Sequence, residues 1–240
     1  MSRKRSIPTD FSEEPTDRKA TLGDALRRRI LNMDMSPGSV VDEVALSEEF
    51  GLSRPPVREL LRQMAAEGYI DLEVNRAARV SSMSFQTLRS FFLAAPLVYI
   101  ATTQLAAMNA TRADIDSLKD IQRRFKAAIA SQDVEGRVLW NDEFHLEIGK
   151  VARNPYLMPS LRRLLIDHAR LGKIFYRASA SPDMQDRMEA AVRQHDEIIA
   201  AIECHDADAA AALVRAHLDL SRHRMAEYAA PEGIEVPLTC

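Results

Sequence analysis

The chain has 240 residues, of which 46% are hydrophobic and 28% charged, enough apolar material to give each of two ordinary domains a core. A net charge of −3 excludes a basic field over the whole molecule, so any affinity for nucleic acid must come from where particular arginines stand. Cys204 and Cys240 lie far apart, which excludes a disulfide scaffold and a four-thiolate zinc site and fits a reducing, cytoplasmic setting. No secretory signal opens the chain. The most apolar run, Phe91 to Ala101, is too short and too broken by Pro96 to predict a membrane span.

Residues 1–18 mix Arg3, Lys4 and Arg5 with Pro8, Asp10, Glu13, Glu14, Pro15 and Asp17 without an apolar period, and predict a disordered leader. A domain over 19–82 follows. Its first helix is predicted over Leu22–Asn32, with Leu22, Ala25, Leu26, Arg29 and Ile30 on one face, until Ser36-Pro37-Gly38-Ser39 breaks the pattern. Arg28 and Arg29 are candidate phosphate contacts at its edge. A second helix, Val44–Phe50, ends at Gly51, the residue that most easily takes a left-handed turn.

The third helix is the informative one. Ser53 is a favoured N-cap, and Pro55 and Pro56 fall in the first turn, where a missing N–H costs nothing. Arg54, Arg58 and Arg62 recur every four residues and drift only about 40° per step, while Val57, Leu60, Leu61 and Met64 point the other way. Three arginines so spaced are, by themselves, an ordinary solvated face. The context changes that reading: Gly68–Val74 alternates apolar and polar residues, Asn75-Arg76 can turn, and Ala78–Val80 can return as a second strand. Helix, glycine turn, arginine-lined helix and hairpin make the winged arrangement that lays a helix in the major groove, where guanidinium groups can grip phosphate or guanine.

The segment Leu26 to Val80, with Pro37-Gly38, Glu43-Val44-Ala45-Leu46-Ser47 and Ser53-Arg54-Pro55-Pro56-Val57-Arg58-Glu59, resembles the winged helix-turn-helix of GntR-type bacterial transcription regulators. The resemblance implies that Arg54 and Arg58 touch DNA and that the Asn75-Arg76 turn reaches the minor groove. Ser53, Pro56 and Arg62 complete the expected DNA-facing set. Ala77 departs from the glycine usual in relatives, which implies a differently shaped wing tip.

From residue 83 to 230 the pattern predicts an all-helical domain, with a tail over 231–240. Six helices are expected: Phe85–Asn109, Ala113–Ser131, Val134–Arg153, Tyr156–Ala178, Pro182–Cys204 and Ala207–Tyr228. The predicted fold is therefore mainly α, a winged helix-turn-helix followed by a six-helix bundle. His145 shares a stripe with Val138, Ile148 and Ala152, and Asn141 and Asp142 flank it. His195 shares one with Met184, Met188, Ala191, Ile199 and Ile202, and His217 with Ala210, Leu213 and Leu220. One histidine on an apolar face is ordinarily a hydrogen-bonded core residue. Three on separate helices point to shared work, because neutral imidazoles are common nitrogen ligands for divalent transition ions.

Asn141-Asp142-Glu143-Phe144-His145, Asn154-Pro155-Tyr156-Leu157, His195-Asp196-Glu197-Ile198 and Asp208 through Leu218 resemble the FCD effector domain of the FadR subfamily. That resemblance implies an aspartate and three histidines holding zinc, nickel or a similar ion. His145, His195 and His217 match the histidines, while the aspartate position carries Asn141, with Asp142 as the neighbouring alternative. An amide oxygen is neutral and ligates more weakly than a carboxylate. Many relatives also place an arginine and a glutamate on the first bundle helix, where this chain has Ala95 to Tyr99. A carboxylate effector would then use the ion, helped by His168, Tyr99 or Thr102, each of which is equally well explained as core. His205 and His223 read as surface residues.

The expected function is a cytoplasmic, ligand-responsive transcriptional repressor. It would bind a pseudo-palindromic double-stranded operator as a homodimer and respond to a small carboxylate beside a divalent metal. Two other classes compete, a metal-only sensor on the same fold and a metal-dependent hydrolase. No evident general base flanks the histidines, and an enzyme has no use for a winged helix.

Overall fold

The computed structural model describes residues 15–177 and 182–229. The leader as far as residue 14, the tail over 231–240, and the side chains of Phe175, Met184 and His223 lie outside the described residues. The chain divides into two compact units, passing from one to the other between Ser82 and Met83.

The first unit contains α1 (Pro15–Leu31), α2 (Glu43–Glu49), α3 (Arg54–Glu67), β1 (Ile70–Asp71) and β2 (Arg79–Val80). Helix α1 begins at Pro15, so residues 15–18 of the expected leader are helical, and Arg18 Nη1 donates to the carbonyl of Gly51 at 2.8 Å. Asp42 caps α2 by accepting from the Val44 and Ala45 amides. Gly51 then turns the chain at φ 59°. Ser53 stands at the N-cap of α3 with extended backbone, but its hydroxyl makes no capping hydrogen bond, contrary to expectation. The reason is chemical: the amides such a cap would satisfy belong to Pro55 and Pro56, which have no N–H. Proline's fixed φ starts the helix instead, and Gly68 at φ 93° ends it.

One face of α3, Val57, Leu60, Leu61 and Met64, is buried against Leu22, Leu26 and Ile30 of α1, Leu46 of α2, and Ile70 and Val80 of the wing. The wing is shorter than predicted. Only Ile70↔Val80 and Asp71↔Arg79 pair, with Val40 bridging Arg79 from the other side. Leu72 and Val74, read as the buried side of a longer strand, are 45% and 90% exposed. Beyond Asp71 no core residue covers the ribbon, so alternation there has nothing to bury against.

The second unit is the expected bundle: α4 (Phe85–Asn109), α5 (Arg112–Ala130), α6 (Val134–Val151), α7 (Leu157–Arg177), α8 (Pro182–Glu203) and α9 (Ala207–Ala229). Ser84, Thr111 with Asp114, and Asp133 cap α4, α5 and α6, and the Asn154 side chain accepts from the amides of Tyr156 and Leu157 at the start of α7. Helix α4 packs on α6, α7, α8 and α9. It runs through Pro96 without a break, and by length and composition alone it would suffice to cross a membrane. Its bounds are those the sequence predicted. Leu88, Phe91, Phe92, Ala95 and Tyr99 of α4 instead join Leu118, Phe144, Ile148, Leu161, Ile198, Ile202 and Val214 in the bundle core.

Helices α6 and α7 are in close contact at Gly149, where an added Cβ would lie 2.2 Å from Cδ2 of the fully buried Leu161. Gly149→Ala is therefore expected to destabilise the bundle by about 1–3 kcal/mol through overpacking, against the small gain alanine gives a helix elsewhere. Urea unfolding measures it, and a variant more stable than the natural chain would contradict this packing.

Candidate metal centre and nucleic-acid interface

The bundle brings the three stripe histidines together. His145 on α6, His195 on α8 and His217 on α9 are 1%, 0% and 7% exposed, and each offers a ring nitrogen within 4.8 Å of the others. The Nε2 atoms of His195 and His217 are 3.2 Å apart. A tetrahedral ion at ordinary zinc–nitrogen distance would hold two such nitrogens about 3.3 Å apart. Both ring nitrogens of His145 are buried without a hydrogen-bond partner. Burial pushes the imidazoles of His145 and His195 well below their usual range and that of His217 down to about 3. They are consequently neutral, the form that ligates. Orphaned nitrogens, neutral rings and ligand-like spacing make this donor set fit a divalent transition ion.

The outward nitrogens of two of these rings are held by amides. Nδ1 of His195 faces Oε1 of Gln122 on α5 at 3.1 Å, and Nδ1 of His217 faces Oε1 of Gln194 on α8 at 3.1 Å. The sequence reading passed over both glutamines. Gln122 could have been noticed, since it is a polar residue on the same face of α5 as Leu118, Ile121 and Phe125, and it is 2% exposed. Gln194, next to His195, carries no such signal.

The other expected site residues divide. Asn141 is buried on α6 one turn before His145. Asp142 lies apart from the three-histidine group, with Oδ1 3.9 Å from Nδ1 of His168; burial raises its carboxyl well above the usual range. Tyr99 and His168 are joined by a 2.8 Å hydrogen bond, and the Tyr99 ring stands edge-on to His145 with centroids 4.9 Å apart. The Thr102 hydroxyl turns back to the carbonyls of Val98 and Tyr99 in its own helix, which uses its only proton. His205 is exposed, as expected, and shares a 2.7 Å hydrogen bond with the Ala107 carbonyl.

On the first unit, Ser53, Arg54, Arg58 and Arg62 line the exposed side of α3 and Pro56 is half-buried. Arg58 donates from Nε to Glu43 at 2.8 Å, and its side chain stays half exposed. An exposed pair of this kind is worth only about 0–1 kcal/mol, so it orients the guanidinium without sequestering it. Asn75 turns the wing at φ 60°, and Arg76 beside it pairs with Glu73. Arg29 is committed to Glu49 and lies over the Phe50 ring, whereas Arg28 is exposed.

Comparison with known proteins agrees with both halves. Residues 18–80 match the family described as bacterial regulatory proteins, gntR family, and residues 100–220 match the FCD domain. The HTH-type transcriptional repressor RspR of Escherichia coli is 24% identical over 193 residues, covering 80% of this chain and 82% of its own. The HTH-type transcriptional regulator LutR of Bacillus subtilis is 25% identical over 208 residues, covering 79% and 92%. Among solved structures, E. coli McbR/YncC shares the fold with a TM-score of 0.75 at 17% identity, over 89% of this chain and 99% of that one.

The buried imidazoles make stability depend on acidity. Burial lowers His168 to about 4 from 6.5, so between these values the unfolded chain binds a proton that the folded chain refuses. Stability is full above about pH 6.5 and declines as pH falls toward 4, by about 3 kcal/mol from this group at about 1.4 kcal/mol per unit. Urea unfolding of chelator-treated protein between pH 7 and 4.5 is expected to show the decline, with a shallower slope for His168→Phe. Equal slopes would remove His168 from the effect.

Proposed function

The chain belongs to the GntR family of bacterial regulatory proteins and carries an FCD domain, and from that membership we propose a repressor whose bundle holds a divalent transition ion and answers to a small carboxylate. The family and its relatives are transcriptional regulators, not enzymes, which disposes of the hydrolase reading. The observation that carries the metal proposal is the meeting of His145, His195 and His217 in a buried group, in a domain type that often binds metal. Zinc or nickel suits an imidazole-rich donor set. Asn141, one turn before His145 on α6, would be the protein oxygen that joins it, a reading supported by the position of Asp142 beside His168. When bound, the ion supplies a Lewis-acidic position for a carboxylate oxygen. Tyr99 and His168, joined by their hydrogen bond, border that position with a phenol and a neutral imidazole.

On the DNA side, Arg54, Arg58 and Arg62 would contact phosphates and guanine edges, Ser53 and Pro56 would seat the start of α3 against the backbone, and Asn75 with Arg76 would enter the minor groove. A homodimer is supported by Leu93, Leu97 and Met108. These are 42%, 71% and 66% exposed and share one face of α4 within about 60°, an apolar stripe of the kind a second copy covers. Two copies would present two α3 helices to a pseudo-palindrome. A coupling of about 1–3 kcal/mol between effector and operator would change DNA affinity about 5- to 150-fold. A metal-only sensor is the second reading, favoured by the lack of any basic residue in α4 from Phe91 to Asn109 to receive a carboxylate.

Gel retardation with the chain's own promoter region tests the proposal. The natural protein is expected to shift the DNA, and Arg58→Ala to lose the shift while keeping its circular dichroism. Adding zinc or nickel to stripped protein, alone and with small mono- and dicarboxylates, should change operator affinity at least fivefold. Response to the ion alone selects the metal-only sensor, and undiminished binding by Arg58→Ala defeats the DNA assignment.

A further inference from the structure

We propose that Gln122 is a positioning residue that fixes His195 as an Nε2 ligand, and that Gln194 holds His217 as an Nε2 ligand once an ion is bound; the inference rests on the metal reading above. Gln122 leaves no choice of orientation. Its amide nitrogen donates to the Val192 carbonyl at 2.8 Å and to Asp196 Oδ1 at 3.1 Å, both on α8. Asp196 is in turn held by Lys126 Nζ at 2.9 Å. Turning the amide over would set its oxygen against two acceptors. The oxygen therefore faces His195, and since a carbonyl oxygen only accepts, Nδ1 of His195 carries the proton and Nε2 bears the lone pair. Phe144, stacked on the His195 ring with centroids 3.9 Å apart, fixes its plane.

Gln194 is differently placed: among the described residues its amide nitrogen meets no pair of acceptors like the one that fixes Gln122. Without an ion, the 3.2 Å approach of the two Nε2 atoms is satisfied only if His217 carries its proton on Nε2, with Gln194 offering its NH2 to the vacated Nδ1. With an ion, His217 needs its proton on Nδ1 and Gln194 must present oxygen. Binding thus selects one orientation of Gln194, while Gln122 stays as it was. Both holders are neutral amides, so neither makes its imidazole as basic a donor as a carboxylate would.

Zinc competition against a chromophoric chelator, on the full chain, separates the possibilities. Gln122→Leu and Gln194→Leu are each expected to weaken zinc binding about 10- to 100-fold with an unchanged circular dichroism spectrum. Gln194→Glu, which keeps an acceptor, should bind at least as tightly as the natural chain. Long-range proton–nitrogen NMR of the zinc-loaded protein should find Nδ1 protonated and Nε2 ligated on His195 and His217. Folded leucine variants that hold zinc as tightly as the natural chain, or ligation through Nδ1, would overturn the assignment. If Gln122→Leu does not fold, the Gln194 pair of variants decides. A natural chain with no affinity for zinc or nickel would instead sink the underlying metal reading, before any substitution is compared.

Discussion

The bundle is arranged around the cost of burying imidazoles. An apolar interior accepts a polar group only when that group is hydrogen-bonded or otherwise satisfied. Here four histidines, His145, His168, His195 and His217, occupy buried positions on four different helices. His168 is satisfied by Tyr99, and one nitrogen each of His195 and His217 by a glutamine. His145 has no partner at either nitrogen. A core selected for stability alone would replace such a residue with leucine or phenylalanine at little cost. Its presence in the buried core is understandable if something other than a protein atom completes it.

The first unit solves a different problem, how to display charge from a rigid base in a protein whose total charge is negative. Leu60, Leu61 and Met64 lock one side of α3 into the small core, and the prolines fix where the helix begins. Every arginine on the opposite side is then carried at a set height and angle. Glu43 restrains Arg58 by its Nε edge, which leaves the two terminal nitrogens for a bidentate contact. The salt bridges of α1 behave differently: Arg27 binds Glu67 and Arg29 binds Glu49, so these guanidinium groups tie α1 to α3 and α2.

What could be read from the chain alone was whatever recurs at short range. The arginine spacing of α3, the glycine turn before it, the six bundle helices and the inward direction of three histidines all follow from periods of three to four residues. Long-range pairing was not readable. Gln122 meets His195 across 73 positions, and nothing local to either residue announces the meeting. The Ser53 cap failed for a reason visible in the sequence, two prolines without amide protons. The wing strand was misjudged because alternation reports composition, while burial depends on what lies opposite.

The remaining chemical question is one of charge. The donors proposed for the ion, His145, His195, His217 and Asn141, would all be neutral, and the neighbouring Asp142 is drawn toward protonation by its surroundings. An ion held by such a set keeps its full double positive charge in a medium that screens poorly, where an anion in an open position is attracted more strongly than in a site already containing a carboxylate. The same neutrality lowers the ion's own affinity, because no protein charge opposes it. The two effects are linked by reciprocity: whatever an anion gains from the ion, the ion gains from the anion. With Asn141 in place of a carboxylate, a site of the proposed kind would favour taking up metal and carboxylate together over a permanently loaded metal with an optional ligand.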